Sequence, residues 1–207
     1  AGAPLGSAAQ PATVTAELYR ANPIHAAVTV CLRTTTREQV DICFAVSHAT
    51  EAESTPAFGL DTDQATLDLG FDGGLSVRWH DGRDEVEEAE AQQNERSVGG
   101  AIDWIAAGAP LDADALASTP HCSLEVARTQ TLIACGSYES SAIHDLPKAL
   151  HREGPKGEIA IEGMTAAIDA SFREGKLFSE LGHDWAHAGD TVSMKNYGYF
   201  PTFRVPG

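Results

Sequence analysis

The sequence is poor in lysine and in positive charge as a whole. It has four lysines and ten arginines against 30 acidic residues, and its formal net charge is -16. Proteins that hold nucleic acid or an anionic membrane do so with clustered lysines and arginines. We therefore predict that nucleic acid is not a partner of this protein, and we interpret the acidic residues as a solvated surface.

Long apolar runs and several common motifs are also missing. No stretch approaches 18 consecutive apolar residues, so we predict no membrane span. Neither glycine-rich loop that binds phosphate groups is present, G-x-x-x-x-G-K-[ST] or G-x-G-x-x-G, and there is no G-x-S-x-G nucleophile turn. With 207 residues, of which 43% are apolar, the chain can still form a core unaided. The sequence thus contains no strong signal for an enzyme.

Only four cysteines occur, in two closely spaced pairs, Cys31 with Cys43 and Cys122 with Cys135. Each pair is symmetric about a predicted turn, so its two residues can face each other across antiparallel strands. The Cα atoms of such a pair approach to about 5 Å, which is within reach of a disulfide. We predict two disulfide-linked hairpins. Buried free thiols are the alternative, and zinc is disfavoured there because no C-x2-C spacing occurs.

The first residues, AGAPLGSAAQPATVT, are small and rich in alanine. Such a start is typical of a chain from which a signal peptide has been removed, although a trimmed chain would look the same. Disulfides persist in oxidising compartments. We therefore predict a secreted or extracellular protein.

Hydrophobic patterning indicates an α+β fold with antiparallel sheets and a few peripheral helices. Residues 1–11 are predicted to be a flexible segment and 12–207 a single domain. The predicted strands cover 13–19, 26–33, 39–47 and a hairpin of 66–72 with 75–80, followed by the second cysteine hairpin over 121–136 and by strands over 157–164, 191–195 and 197–205. The predicted helices cover 84–94, 97–107, 140–151, 165–173 and 175–181.

The segment HDWAHAGD contains the sharpest candidate for a metal site. His183 and His187 are four residues apart and would share one face of a helix. Two imidazoles in this arrangement can bind zinc, with Asp184 or Asp190 as a third ligand or as a hydrogen-bond acceptor beside the ligands. Gly182 and Gly189 bracket the segment and weaken the case for a helix. Histidines packed around Trp185 without a metal are the alternative.

The segment SYESSAIHD brings serine, histidine and aspartate together in sequence. An acyl-transfer triad is assembled from separated segments, and the side chains of adjacent His144 and Asp145 would point apart on a helix. We interpret Ser140 or Ser141 as a helix cap.

An aromatic patch lies near the end of the sequence and consists of Tyr197, Tyr199, Phe200 and Phe203. Strand alternation would place some of these rings in a core. If they are exposed, they are a candidate protein contact site, because tyrosine and phenylalanine are enriched at interfaces.

These patterns together favour a secreted, non-enzymatic binding or structural subunit. It would act through protein–protein contacts or self-association, in an extracellular or virion assembly, without a cofactor. The alternative is an exported metal-dependent hydrolase that uses zinc on His183 and His187.

Overall fold

The computed structural model describes residues 8–70, 74–88, 99, 102–108, 124–154 and 157–200. Contacts between backbone positions group the chain into two compact units. The single domain over 12–207 stays a prediction. Unit 1 consists of residues 1–52 and 122–207, and unit 2 consists of residues 53–121. Unit 2 is therefore an insertion in the sequence of unit 1.

The predicted α+β class with antiparallel sheets is confirmed. The elements in chain order are β1 (Pro11–Arg20), β2 (Thr29–Thr36), β3 (Asp41–Ser47), β4 (Ala57–Asp61), β5 (Ala65–Gly70), β6 (Gly74–Trp79), β7 (Asp84–Glu88), α1 (Leu124–Ser140), β8 (Ile143–Asp145), β9 (His151–Glu153), β10 (Ile159–Ile161), α2 (Met164–Glu174) and β11 (Val192–Ser193). A 3-10 turn, Lys148–Leu150, stands where a helix over 140–151 is predicted. Turns also replace the predicted helix over 175–181.

The main sheet of unit 1 is built around β1. Its path is β11-β1-β2-β3, and β8 also pairs with β1, so that β11 and β8 lie along the same edge of that strand. The pairing with β8 is parallel, whereas β2 and β11 run antiparallel to β1. Residues on both faces of β1 are buried, because α1 covers one face and the segment after α2 covers the other. The predicted meander of the first three strands is present.

The prediction of a second cysteine hairpin over 121–136 is wrong, because α1 occupies most of these residues. The run from Thr131 to Cys135 has a strand-like composition, but the helix is fixed by contact with β1. Gly136 makes this contact possible: a Cβ atom there would lie 3.0 Å from the Met194 sulfur and 3.3 Å from the Val14 side chain. Packing of a small residue against the strand thus overrides local propensity.

The predicted disulfides are also wrong for the residues that the structure describes. Cys31, Cys43 and Cys135 are free, and Cys122 lies outside the described residues. Cys31 is opposite Ala45 and Cys43 is opposite Arg33, so the two thiols are offset by two residues instead of directly paired. Cys135 lies on a helix and has no hairpin partner.

Unit 2 contains a four-stranded antiparallel sheet in the order β4-β5-β6-β7. The predicted hairpin corresponds to β5 and β6. The predicted helix over 84–94 is wrong in its first part, because residues 84–88 pair with β6 as an edge strand. Good helix formers thus adopt the strand that the neighbouring backbone offers. Within the predicted 97–107 helix, residues 102–106 are helical.

Two further features complete the fold. The short strands β9 and β10 pair antiparallel. Among the helices in the described ranges, none combines the length and the apolar character needed to cross a membrane.

The start of α2 is capped by a residue from a distant segment. Its N-cap, Gly163, has a φ of 80° and no side chain with which to cap. Glu51 fills this role: its carboxylate accepts hydrogen bonds from the Gly163 amide, the Thr165 amide and the Thr165 hydroxyl. Burial opposes the charge, but these bonds hold the pKa of Glu51 below its usual value.

We expect Glu51→Ala to lower the free energy of unfolding by about 1 kcal/mol at pH 7, because the first amides of α2 lose their acceptor. The wild-type advantage exists above the ordinary glutamate pKa of 4.5 and disappears as pH falls through the lowered value. Urea titrations at pH 7 and pH 3 measure this. Glu53→Ala removes an exposed acid nearby and is the control. An equal loss at both pH values would contradict the cap.

Candidate functional site

The edge of β1 has a gap between β11 and β8, and Ser140 fills it. The Ser140 hydroxyl accepts a hydrogen bond from the Ala16 amide at 2.7 Å and donates to the Asp190 carbonyl at 2.6 Å. The Asp190 amide in turn donates to the Ser140 carbonyl at 2.9 Å. Ser140 therefore ties the segment that precedes β11 to the strand. The predicted helix-capping role is wrong, since Ser140 is the last residue of α1.

The face of β1 that packs against the segment after α2 carries a buried carboxylate. Glu17 is completely buried and accepts hydrogen bonds from the Tyr19 hydroxyl at 2.9 Å and from the amide and hydroxyl of Ser179. The Tyr19 hydroxyl also accepts a bond from the His187 amide at 3.0 Å. Burial raises the pKa of Tyr19, with a further contribution from Glu17, so the tyrosine keeps its proton. This network fixes the segment 178–187 on the sheet.

Aromatic rings surround Tyr19. The Trp185 ring meets it edge-on with centroids 5.1 Å apart, and Phe178 lies at 6.2 Å. The His183 ring stacks on Trp185 at 5.1 Å. The His144 ring lies on another side of Tyr19, at 6.2 Å. Tyr19 is thus the common support of the two histidine-bearing segments.

His144 and His187 are stacked on each other. Their ring centroids are 4.2 Å apart and the planes differ by 10°. His144 comes from β8, where it is opposite Tyr19, and is half-buried, whereas His187 is exposed. Burial lowers the pKa of His144 and the neighbouring His187 lowers it further, against a smaller effect of Asp145. His144 is therefore neutral at pH 7 and can accept a proton.

An ion pair holds the end of β8. The Arg20 guanidinium binds both carboxylate oxygens of Asp145, and it also donates to the Ile24 carbonyl at 3.1 Å. The hydrogen bond from Arg20 keeps the pKa of Asp145 below its usual value.

An open groove of about 480 Å³ lies beside these rings. It is lined by Pro147, Ala149, Leu150, Gly182, His183, Asp184 and Trp185. The lining joins an apolar floor to one carboxylate and one imidazole, and neither lysine nor arginine belongs to it. Such a surface suits a neutral polar molecule better than an anion.

The predicted metal ligands do not lie together as the sequence suggests. Residues 183–190 form turns and irregular backbone, so the prediction of a helix that would align His183 with His187 is wrong. His183 stacks on Trp185, whereas His187 stacks on His144. Within the described ranges, no group of three or more histidine, cysteine, aspartate or glutamate side chains could hold a metal ion. Zinc binding by His183, His187 and Asp190 stays a prediction.

The aromatic patch is only partly exposed. The Tyr197 hydroxyl donates to Glu139 at 2.9 Å, which anchors this residue on α1. The Tyr199 side chain is 78% exposed and Phe200 is 37% exposed. Phe203 lies outside the described residues. A contact role for Tyr197, Tyr199, Phe200 and Phe203 stays a prediction.

Sequence reasoning missed Glu17, Tyr19 and the pairing of His144 with His187. The two histidines are far apart in sequence, and only the parallel pairing of β8 with β1 brings His144 to this face. One local signal was available: Glu17 is an acid among the apolar residues of a strand, and a buried carboxylate requires nearby donors.

Comparison with known proteins finds no matching protein-family model and no matching curated protein. Solved structures do match in part. An oxidoreductase from Agrobacterium radiobacter in complex with NAD+, L-tartaric acid and magnesium is 21% identical, with a TM-score of 0.40 over 52% of this chain and 38% of that one. A UDP-N-acetylglucosamine 3-dehydrogenase from Acidithiobacillus ferrooxidans is 16% identical, with a TM-score of 0.47 over 62% of this chain and 40% of that one. The aligned part spans less than half of each of these proteins.

These structures contradict the predicted secreted, non-enzymatic binding or structural subunit, because they are named as enzymes. The expectation that the protein is not an enzyme is wrong on the same finding. The two structures described above are named as oxidoreductases and not as hydrolases, so they do not bear out the alternative of an exported metal-dependent hydrolase. The extracellular location stays a prediction. The chain is thus similar in part of its backbone to oxidoreductases.

Proposed function

We propose that unit 1 forms the substrate side of an oxidoreductase. A neutral, hydroxyl-bearing small molecule occupies the groove, and the proton of its reacting hydroxyl passes to the His144–His187 pair. Oxidation of an alcohol removes a hydride from carbon, which a separate hydride-accepting cofactor would have to take up, and a proton from oxygen. A neutral imidazole is the usual acceptor of such a proton. TM-scores of 0.40 and 0.47 do not by themselves support an activity. The proposal therefore depends on the side chains.

The observation that carries the proposal is the stacked histidine pair. Its neighbours hold it firmly: the His187 amide is bound to Tyr19, whose hydroxyl is bound to buried Glu17. Fixed orientation of a base contributes to catalysis because the reacting atoms need not be ordered during the step. The Tyr19 ring contacts both Trp185 of the groove and His144 of the pair. His144 and His187 are not in the lining of the groove, so we infer that the substrate extends from Trp185 toward the pair, which rests on the same tyrosine.

The charge of the groove restricts its substrate. Asp184 is an exposed carboxylate in the lining, and the chain as a whole carries a net charge of -16. A dianion such as tartrate would be repelled by Asp184, since neither lysine nor arginine is among the described residues that line the groove. Hydroxyl groups can instead donate hydrogen bonds to Asp184, and an apolar carbon skeleton can lie on Leu150 and Trp185.

The described residues do not fit a dinucleotide. Binding of that group requires a glycine-rich turn between a parallel strand and a helix. The parallel pair among the described strands is β1 with β8, which are joined through the whole of unit 2 and α1. We therefore assign to these residues only the recognition of the substrate and the transfer of its proton.

Binding of an alcohol and its ketone tests the proposal. We expect sorbitol and fructose, which differ by two hydrogen atoms, to shift the imidazole NMR resonances of His144 and His187 in the histidine-labelled chain. We expect tartrate to bind at least about 10-fold more weakly, because it must approach Asp184 without a cation. In His187→Ala the fructose and sorbitol affinities should fall by about 10-fold, which is the loss of one hydrogen bond to a fixed group.

His25→Ala is the matched control, because His25 is an exposed histidine of unit 1 outside the groove. Its affinities should equal those of the wild type. Unperturbed imidazole resonances with saturating sorbitol and fructose, or preferential binding of tartrate, would contradict the proposal.

A further inference from the structure

Two thiols lie side by side between the main sheet and α2. The sulfur atoms of Cys31 on β2 and Cys43 on β3 both approach the Ser171 hydroxyl of α2, at 3.4 and 3.8 Å. Cys31 is completely buried, whereas Cys43 is half-buried on the outermost strand of the sheet path. Cys43 is therefore the more accessible of the two thiols.

The hydrogen bonds at this point distinguish the two thiols. The single proton of the Ser171 hydroxyl is donated to the Lys176 carbonyl at 2.7 Å. The S–H group of Cys31 is then the nearest donor to the Cys43 sulfur. This hydrogen bond lowers the pKa of Cys43 and raises that of Cys31, and burial also raises the pKa of Cys31. Cys43 therefore ionises first, and Cys31 retains its proton.

Charged groups on the surrounding elements both lower and raise the pKa of Cys43. Arg33 is directly opposite Cys43 across the strand pair and favours a thiolate. Glu180, which follows α2, opposes it and binds the Arg33 guanidinium at 2.7 and 2.9 Å. Lys176 pairs with Glu174, and Asp41 lies on the same strand as Cys43. Arg33 is the cation nearest in register to Cys43, which makes it the residue that tunes this thiol.

We propose that Cys43 is a modification site that forms mixed disulfides with low-molecular-weight disulfides such as oxidised glutathione. The Cys43 thiolate attacks one sulfur of the small disulfide, the sulfur–sulfur bond breaks, and the other half leaves as a thiolate that takes up a proton. The exchange consumes one thiol and one disulfide and yields one thiol and one disulfide, so it needs no further oxidant. The hydrogen bond to the Cys43 thiolate is lost in the adduct, but burial still raises the pKa of Cys31. The Cys31 thiol therefore stays protonated and does not displace the bound half, so the adduct persists.

The adduct acts on the segment that supports the candidate functional site. The Cys43 sulfur is 3.9 Å from the Lys176 carbonyl, so a group attached to it must push into the start of segment 176–180. Phe178 in this segment packs on Tyr19, and Ser179 binds Glu17. Modification of Cys43 therefore loosens the network below the histidine pair.

Peptide mapping of the intact, folded chain tests this inference. Arg33 and Arg37 lie between the two cysteines, so trypsin places Cys31 and Cys43 in different peptides. After incubation with excess oxidised glutathione at pH 7, we expect the glutathione adduct on the Cys43 peptide ahead of those of Cys31 and Cys135, with reversal by dithiothreitol. In Arg33→Gln the adduct should form several-fold more slowly, since the thiolate loses its nearest cation. Cys135→Ser should leave the rate unchanged.

A second measurement uses the wild type alone and does not depend on the folding of any variant. The rate of alkylation of Cys43 by iodoacetamide should rise with pH through a midpoint of about 7. Equal glutathione adducts on Cys31 and Cys43, a Cys31–Cys43 cross-link in place of the adduct, or a midpoint at the usual thiol pKa would each overturn the proposal. These outcomes do not depend on the proposed function, because the substrate-binding measurements described above can fail while Cys43 is still modified.

Discussion

Gly189→Ala is expected to lower the free energy of unfolding of unit 1 by about 3 kcal/mol or more. A Cβ atom at this position would lie 1.9 Å from the Ala16 carbonyl oxygen and 2.7 Å from the Ser140 hydroxyl. Neither neighbour is the end of a flexible side chain, since one is the backbone of β1 and the other is held by two hydrogen bonds. The segment must therefore separate from the sheet. Losses of this size are typical of overpacking that the surroundings cannot absorb.

Thermal unfolding followed by circular dichroism measures this effect, and we expect a fall in Tm of about 6–12 °C for a protein of this size. The stacking of His187 on His144 should be lost in the same variant, which the imidazole NMR resonances report. Gly198→Ala is the matched control, because a Cβ atom there meets nothing within 4 Å. A Gly189→Ala protein as stable as Gly198→Ala would show that the segment does not lie against β1.

The second large effect is expected from Glu17→Ala, at about 3 kcal/mol. Three donors lose their acceptor in this variant: the Tyr19 hydroxyl and the amide and hydroxyl of Ser179. Each buried donor left without a partner costs about 1–3 kcal/mol, and relaxation of Ser179 toward water reduces the sum. The Tyr19 hydroxyl also binds the His187 amide, so the histidine pair should become mobile.

Urea denaturation of Glu17→Ala and Glu17→Gln separates hydrogen bonding from packing. Glutamine keeps the shape and one acceptor oxygen, so its loss should be smaller than that of alanine. Glu139→Ala is the control, because Glu139 accepts one hydrogen bond from a tyrosine near the surface and its loss should stay below about 1 kcal/mol. Equal losses for Glu17→Ala and Glu139→Ala would contradict a buried network centred on Glu17.

The sequence predicted those parts of the fold in which local pattern and environment agree. The first three strands were predicted because valine and threonine alternate with other residues along an antiparallel meander. The predictions failed where a tertiary partner decides. Residues 84–88 are good helix formers, yet β6 offers them an edge, and α1 contains a strand-like run, yet Gly136 allows close contact with β1. Such contacts have no counterpart in local composition.

The candidate site was less predictable than the fold. Regular spacing drew attention to His183 and His187, but the backbone between them is not helical, and each stacks on a different ring. The pair that does form, His144 with His187, joins two segments through their common contact with Tyr19. The hairpin-like spacing of Cys31 and Cys43 likewise did not imply a disulfide. The register of β2 and β3 offsets the two cysteines by two residues, and spacing in sequence does not reveal that register.

The insertion of unit 2 also has a consequence for how unit 1 folds. Strands β1, β2 and β3 can associate early through short loops, but β8 and β11 complete the edge of β1 only after the whole of unit 2 has been synthesised. The entropy lost in closing so long a loop grows only with the logarithm of its length, whereas distant pairings slow the search for the native state. Changes in the length of unit 2 should thus alter the refolding rate of unit 1 more than its equilibrium stability.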